Sequence, residues 1–145
     1  MNQKIGVIGL GIMGSAISAN LLRAGFTVTG YDIRPEPIQI LESQGGSGAT
    51  NVRELAGVSD VVITSLPSVA ALQEVVSGPD GLLTAAKPGL IVVEVSTFPI
   101  EAKQEAFTLL KEKGMVMLDC PLSGTGAQAV TKDLAVYASG DGQLC

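Results

Sequence analysis

The stretch Lys4-Ile-Gly-Val-Ile-Gly-Leu-Gly-Ile-Met-Gly-Ser15 constrains this chain more than any other. Ile5, Val7 and Ile8 form a short apolar run with the length and branching of a buried strand. Gly9, Gly11 and Gly14 follow in the spacing G-x-G-x-x-G, and a helical pattern opens inside that spacing. Gly9 suits a tight strand-to-helix turn, Gly11 a close approach of backbone to a pyrophosphate, and Gly14 close packing of helix on strand. The helix start would offer unpaired N–H groups and the positive end of its dipole to an anion.

Three glycines decide little in a chain that has 18 of them, so context must decide. A helix with Met13, Ile17, Leu21 and Ala24 on one face follows the motif and stops at Gly25. A second strand, Thr27 to Tyr31, then ends at Asp32. An acidic residue about 20 positions past the glycines is what the ribose hydroxyls of NAD require. The unit therefore predicts a dinucleotide site. Its candidate contacts are Gly9, Leu10, Gly11, Ile12, Met13 and Gly14, with Asp32, Ile33 and Arg34 at the next strand end. The Asp32 carboxylate favours NAD, because it would repel a 2′-phosphate. Arg34 keeps NADP open, since a guanidinium can hold that phosphate or stack on the adenine.

The rest of the chain repeats the alternation of strand and helix. A short helix is expected from Ile33-Arg-Pro-Glu-Pro37 through Leu41, a brief third strand within Gly45 to Thr50, and a helix around Val52 to Ala56. Asp60 to Ser65 reads as a strong buried strand, Val69 to Val76 as a helix, Gly78 to Gly81 as a turn and Leu82 to Ala86 as one further helical turn. Leu90 to Val95 is the fifth strand. Pro99 suits a first helical position, Glu101 to Lys113 an amphipathic helix closed by Gly114, Met115 to Leu118 a sixth strand and Leu134 to Ala138 a last one. The fold class is α/β: a Rossmann-like, doubly wound, mostly parallel sheet with helices on both faces, in a single domain. Ligands of such sheets sit outside the carboxyl ends of the strands. That rule selects 9–14, 32–34, 66–68, 96–97 and 119–126.

Composition narrows the functions available. At 145 residues the chain is one domain, and 46% hydrophobic against 16% charged suits a sheet buried on both faces. A net charge of −5 without clustered Lys or Arg argues against nucleic acid. No apolar run reaches membrane-spanning length, and the N-terminus is expected to enter the first strand without a leader. Two cysteines, Cys120 and Cys145, without metal-ligand spacing point to a reducing cytoplasm and to no metal site. With no histidine at all, Ser-His and Cys-His nucleophile pairs and a histidine base are excluded within this chain.

The strand-end segments also carry a resemblance. Gly-Leu-Gly-Ile-Met-Gly (9–14) followed by Asn20-Leu21 resembles the N-terminal signature of the β-hydroxyacid dehydrogenases, a group that includes 3-hydroxyisobutyrate, tartronate-semialdehyde and threonate dehydrogenases. Leu66-Pro67-Ser68, Gly78 to Gly81, and Ser96-Thr97 with Pro99 match further blocks in the same order. Asp119-Cys-Pro-Leu-Ser-Gly124 is similar to the substrate-loop motif D-x-P-V-S-G-G. The resemblance implies that Leu66, Pro67 and Ala71 line the nicotinamide side of the cofactor path and that Thr97 lies near the nicotinamide ribose. It also implies that Ser123 and Gly124, with Thr125 beside them, bind the carboxylate and hydroxyl end of the substrate. Thr125 stands where the family has a second glycine, which puts the loop shape or the accepted substrate size in question. Glu94 stands where the family has aspartate, read here as a minor strand-end change.

In the family the proton is moved by a lysine, followed by an asparagine on the same helix, in a second, all-helical domain. Gly140-Asp-Gly142 resembles the lead-in to that domain, so the chain looks like the cofactor half, residues 1–145, of a longer enzyme with no catalytic residue of its own. None of the lysines at 4, 87, 103, 111, 113 and 132 fits the family's lysine motif. Lys4 opens the first strand, and the other five are expected on solvated surface beside helices. The implied parent is a homo-oligomer that transfers hydride between NAD, or NADP, and a small hydroxy acid, with the isolated half inactive. Two alternatives stand beside it: a related imine or 6-phosphogluconate-type reductase, and a non-catalytic nucleotide-binding module.

Overall fold

Strand 1 (β1, Lys4–Ile8) is apolar throughout its buried length because it lies in the middle of the sheet, flanked on both edges. In the computed structural model, which describes residues 3–123, 128, 135–136 and 138–140, β1 is followed by α1 (Ile12–Arg23), β2 (Thr27–Tyr31), α2 (Pro35–Ser43) and β3 (Ser47–Gly48). Next come α3 (Val52–Gly57), β4 (Val61–Thr64), α4 (Val69–Ser77), α5 (Leu82–Ala85), β5 (Ile91–Glu94), α6 (Ile100–Glu112) and β6 (Val116–Asp119). These six strands form one sheet in the order β3-β2-β1-β4-β5-β6, every pair parallel. The order reverses between β1 and β4, so the crevice of a doubly wound sheet opens there, above the carboxyl ends.

Each parallel strand must bury two faces. Ile8, Val62, Val92 and Met117 point to one face, where Leu55, Leu72, Val76, Leu82 and Leu110 of α3 to α6 close over them. Ile5, Val7 and Val28 point to the other, under Leu21 and Leu22 of α1 and Leu41 of α2. Farther along that second face, Ile63, Ile91, Val93 and Val116 are only half-buried, around a small core of Val95, Leu118 and Cys120 that Ile17 of α1 reaches. The expectation of helices on both faces holds, but cover on the α1 side thins out toward β5 and β6.

Three local expectations change. The most deeply buried positions of α1 are Gly14, Ala16 and Ser18, whereas Met13, Ile17 and Leu21 are half-buried and Ala24 is exposed. A helix that must approach a strand closely turns its smallest residues inward; Ser18 manages this by donating its hydroxyl to the Gly14 carbonyl at 2.8 Å. Pro99 is the residue before α6 rather than its first residue, with an extended ψ of 147°. The last predicted strand, β8 (Ala135–Val136), does not join the main sheet. It pairs antiparallel with β7 (Leu122–Ser123), a strand not foreseen, and Asp119 bridges antiparallel to Ser139 beside them.

Candidate cofactor site

The first turn after β1 is shaped by backbone contacts that exclude side chains. Gly9 holds a φ of 92°, a conformation that favours glycine, and a Cβ there would lie 1.9 Å from the Ser65 carbonyl oxygen. A Cβ on Gly14 would lie 1.8 Å from the Gly9 oxygen. Both glycines are therefore demanded by the packing of β1, β4 and α1. Gly11 is different. It precedes α1 in an extended conformation open to any residue (φ −70°, ψ −160°), and a Cβ there would meet nothing within 4 Å. No side chain caps α1, so its first amide N–H groups lack an acceptor from their own helix and face the space above Gly11.

Asp32 sits where β2 ends and does more than face that space. Its Oδ2 accepts the Leu10 N–H at 2.8 Å, while Oδ1 accepts the Arg34 N–H at 2.9 Å and Arg34 Nε at 3.2 Å. Burial alone would raise the pKa of this carboxyl. The amides of Arg34 and Leu10 and the Arg34 guanidinium outweigh it and hold the value below the usual carboxylate range. Asp32 thus pins the glycine turn to the end of β2. Three of its roughly four acceptor directions are used, leaving one for a ligand hydroxyl.

The other expected contacts take distinct positions. Leu10 is buried in the core and has already given its N–H to Asp32, so its side chain is turned away from the mouth. Ile12 and Ile33 are 79% and 89% exposed, and Met13 is half-buried. Arg34 is mostly exposed. Leu66 follows β4 next to Ser65, whose carbonyl closes on Gly9, and Pro67 is exposed. Ser68 accepts the Ala71 N–H at 3.1 Å and so starts α4, with Ala71 half-buried. Thr97 is exposed just past β5. Of the substrate loop, Ser123 lies in β7, while Gly124 and Thr125 lie outside the described residues.

The expectation of solvated lysines needs correction at two positions. Lys103 is buried, not solvated: its Nζ donates to the Ser96 carbonyl at 2.5 Å and to Asp119 Oδ1 at 2.6 Å. Glu94 is wholly buried at the end of β5; it accepts the Ser96 N–H at 2.5 Å and the Thr64 hydroxyl, 3.8 Å from Lys103. Lys87 is also half-buried, and its Nζ reaches the Ala56, Gly57 and Ser59 carbonyls at 3.2, 3.2 and 2.5 Å, closing the carboxyl end of α3. The sequence carried one signal for Lys103. It shares the helical spacing of Ala106 and Leu110, the buried stripe of α6.

A parallel 3-2-1-4-5-6 sheet, a glycine turn feeding an uncapped helix and a carboxylate at the end of the second strand define a dinucleotide-binding domain. The chain belongs to the family described as the NAD binding domain of 6-phosphogluconate dehydrogenase, whose profile matches residues 4–145. It is 37% identical over 140 residues to L-threonate dehydrogenase of Cupriavidus necator, covering 97% of this chain and 47% of that protein. It is 36% identical over 138 residues to 2-(hydroxymethyl)glutarate dehydrogenase of Eubacterium barkeri, covering 94% and 46%. It superposes on 3-hydroxyisobutyrate dehydrogenase of Mycobacterium tuberculosis, solved with L-serine, at a TM-score of 0.91 and 32% identity, over 99% of this chain and 48% of the other. The chain thus spans about half the length of the curated relatives it matches. Among the described residues no group of three or more His, Cys, Asp or Glu could hold a metal ion, and no helix is long and apolar enough to cross a membrane.

Proposed function

We propose that this chain holds the NAD of an oxidoreductase that moves hydride between the nicotinamide and the hydroxyl-bearing carbon of a small 3-hydroxy acid. One observation carries the cofactor placement. Nothing in the fold requires a glycine at position 11, yet a ligand lying against the start of α1 would. The diphosphate would rest on the Gly11 to Met13 backbone and a ribose hydroxyl on the remaining acceptor direction of Asp32. The adenine would lie against Ile33 and Arg34, an exposed apolar side chain beside a guanidinium. When bound, NAD supplies the hydride acceptor. The chain's own residues would hold and orient it, and the Asp32 carboxylate would disfavour a 2′-phosphate beside that ribose.

The hydroxy-acid reading is supported by the L-threonate and 2-(hydroxymethyl)glutarate dehydrogenases among the relatives, and by the order of Asp119, the last residue of β6, with Pro121, Leu122 and Ser123 after it. Ser123, Gly124 and Thr125 are proposed as substrate contacts. Leu66, Pro67, Ala71 and Thr97 are proposed on the nicotinamide side. The proton would be taken by a lysine in the half of the relatives that this chain does not match, so the chain alone would bind cofactor without turnover. A homo-oligomeric parent and a reducing, cytoplasmic setting, in keeping with only two cysteines in the sequence, complete the proposal. The test is calorimetric titration of NADH and NADPH into the wild type and Asp32→Ala. NADH is expected to bind the wild type more tightly than NADPH does, and Asp32→Ala to lose that preference. Tighter NADPH would overturn the choice of cofactor, and no binding of either would overturn the site.

A further inference from the structure

We infer that Lys103 is a positioning residue for the nicotinamide end of the cofactor; the inference rests on the NAD reading above. Asp32 and β2 lie on one side of the glycine turn, so the diphosphate at α1 directs the second half of the cofactor to the other side, over the ends of β4, β5 and β6. Those three ends are tied together by one charge cluster in which Lys103 and Glu94 are buried and Asp119 is partly open to solvent. The Lys103 ammonium, on α6, joins the Ser96 carbonyl after β5 to the Asp119 carboxylate that ends β6. Glu94 lies 3.8 Å from the same nitrogen, and the Phe98 ring lies beneath it with its centroid at 5.9 Å.

Ser96 is the point on which the cluster closes. Its N–H goes to Glu94 at 2.5 Å, its carbonyl to Lys103 at 2.5 Å, and its hydroxyl accepts the Leu66 N–H at 2.8 Å. Each polar group of this residue is held by a different element. Leu66 and Thr97, the two segments expected along the nicotinamide path, are thereby fixed through Ser96. The segment leading to Ser123 is fixed through Asp119, whose N–H and carbonyl also pair with Ser139. A buried ammonium with two carboxylates adds little net stability over an apolar replacement, because desolvation consumes most of the attraction. What such a fully partnered cluster does supply is a single geometry, and preformed geometry raises affinity by lowering the ordering cost of binding.

The test compares NADH with ADP-ribose, which lacks the nicotinamide, by calorimetry on the 145-residue chain, with thermal melts run alongside. Wild type should bind NADH more tightly than ADP-ribose. Lys103→Met should weaken NADH at least tenfold while ADP-ribose stays within twofold, and Lys103→Arg, which keeps the charge and the donors, should restore most of the loss. Unchanged NADH affinity in Lys103→Met, or equal loss of both ligands, overturns the inference, as does a wild type that binds the two alike. If Lys103→Met does not fold, Asp119→Asn takes its place, with NADH expected to weaken at least threefold and ADP-ribose to hold. No change in NADH binding to that variant overturns the inference equally. Failure of the wild type to bind either ligand would instead refute the underlying NAD site.

Discussion

Substitution of Gly11 by alanine separates a glycine kept for a ligand from glycines kept for the fold. The new methyl group meets no atom within 4 Å, and the backbone at this position is already in a region alanine adopts freely. Loss of unfolded-state freedom should stabilise the variant by about 0.4–1 kcal/mol. Alanine is a poorer residue than glycine just before a helix, at a cost of roughly 0.5–1 kcal/mol. The two effects nearly cancel, so the melting temperature should move by no more than about 2 °C. A diphosphate in that space is affected differently. A methyl carbon needs about 3.3 Å from a phosphate oxygen whereas an amide nitrogen hydrogen-bonds at about 2.9 Å, so the ligand must withdraw and give up at least one charge-assisted bond of roughly 1.5–3 kcal/mol. At 1.4 kcal/mol per decade this is about a ten- to hundredfold weaker NADH complex. Calorimetric titration and a melt on the same sample read both effects. NADH affinity within threefold of wild type would show that the diphosphate does not lie over Gly11. A variant destabilised by several kcal/mol would show that the glycine serves the fold after all.

Gly14→Ala should behave in the opposite way. A Cβ placed 1.8 Å from the Gly9 oxygen forces α1 away from the turn, at roughly 3 kcal/mol or more, and should lower the melting temperature by roughly 6–12 °C. Asp32 has a carboxyl held below its ordinary pKa, so its contribution to stability is complete above the unfolded-state value and is lost as pH falls through the folded-state one. Melts taken downward from about pH 5 should therefore show a decline in wild type that is shallower in Asp32→Asn. Lys87→Met removes a cation from three carbonyls at the end of α3 and should cost about 1–2 kcal/mol, read by urea unfolding. A change below about 0.3 kcal/mol would mean that water replaces the ammonium without penalty.

The residues that made the fold legible are those whose physics is local. Ile5 to Ile8, Asp60 to Ser65 and Leu90 to Val95 are short branched apolar runs that suit a strand buried on two faces, and Gly25 and Gly114 mark helix ends through their positive φ. The glycine turn was readable from its spacing, although of its contacts only that of Gly14 with Gly9 is local, while Gly9 is held by Ser65 at the end of β4. Partnerships across distance were hidden. Lys103 reads as a solvent-facing charge and Glu94 as a strand-end one until α6 and β5 bring them to Asp119 and Ser96, because the carboxylate that partners Lys103 inside is 16 residues away along the chain. Strand β7 escaped notice because a two-residue strand carries no periodicity, and with it the pairing of β8 was missed. Likewise, the deep placement of Ser18 depends on a hydrogen bond to Gly14 that hydropathy does not register.

The uneven cover on the two sides of the sheet has a consequence for handling this polypeptide. Val62, Val92 and Met117 are sealed, but their alternates Ile63, Ile91, Val93 and Val116 form a strip of branched side chains that water partly reaches. Such a strip is sticky. Because water partly reaches Val93, a polar residue should be tolerated better there than at the sealed Val92, a difference that urea unfolding of the two variants reads directly.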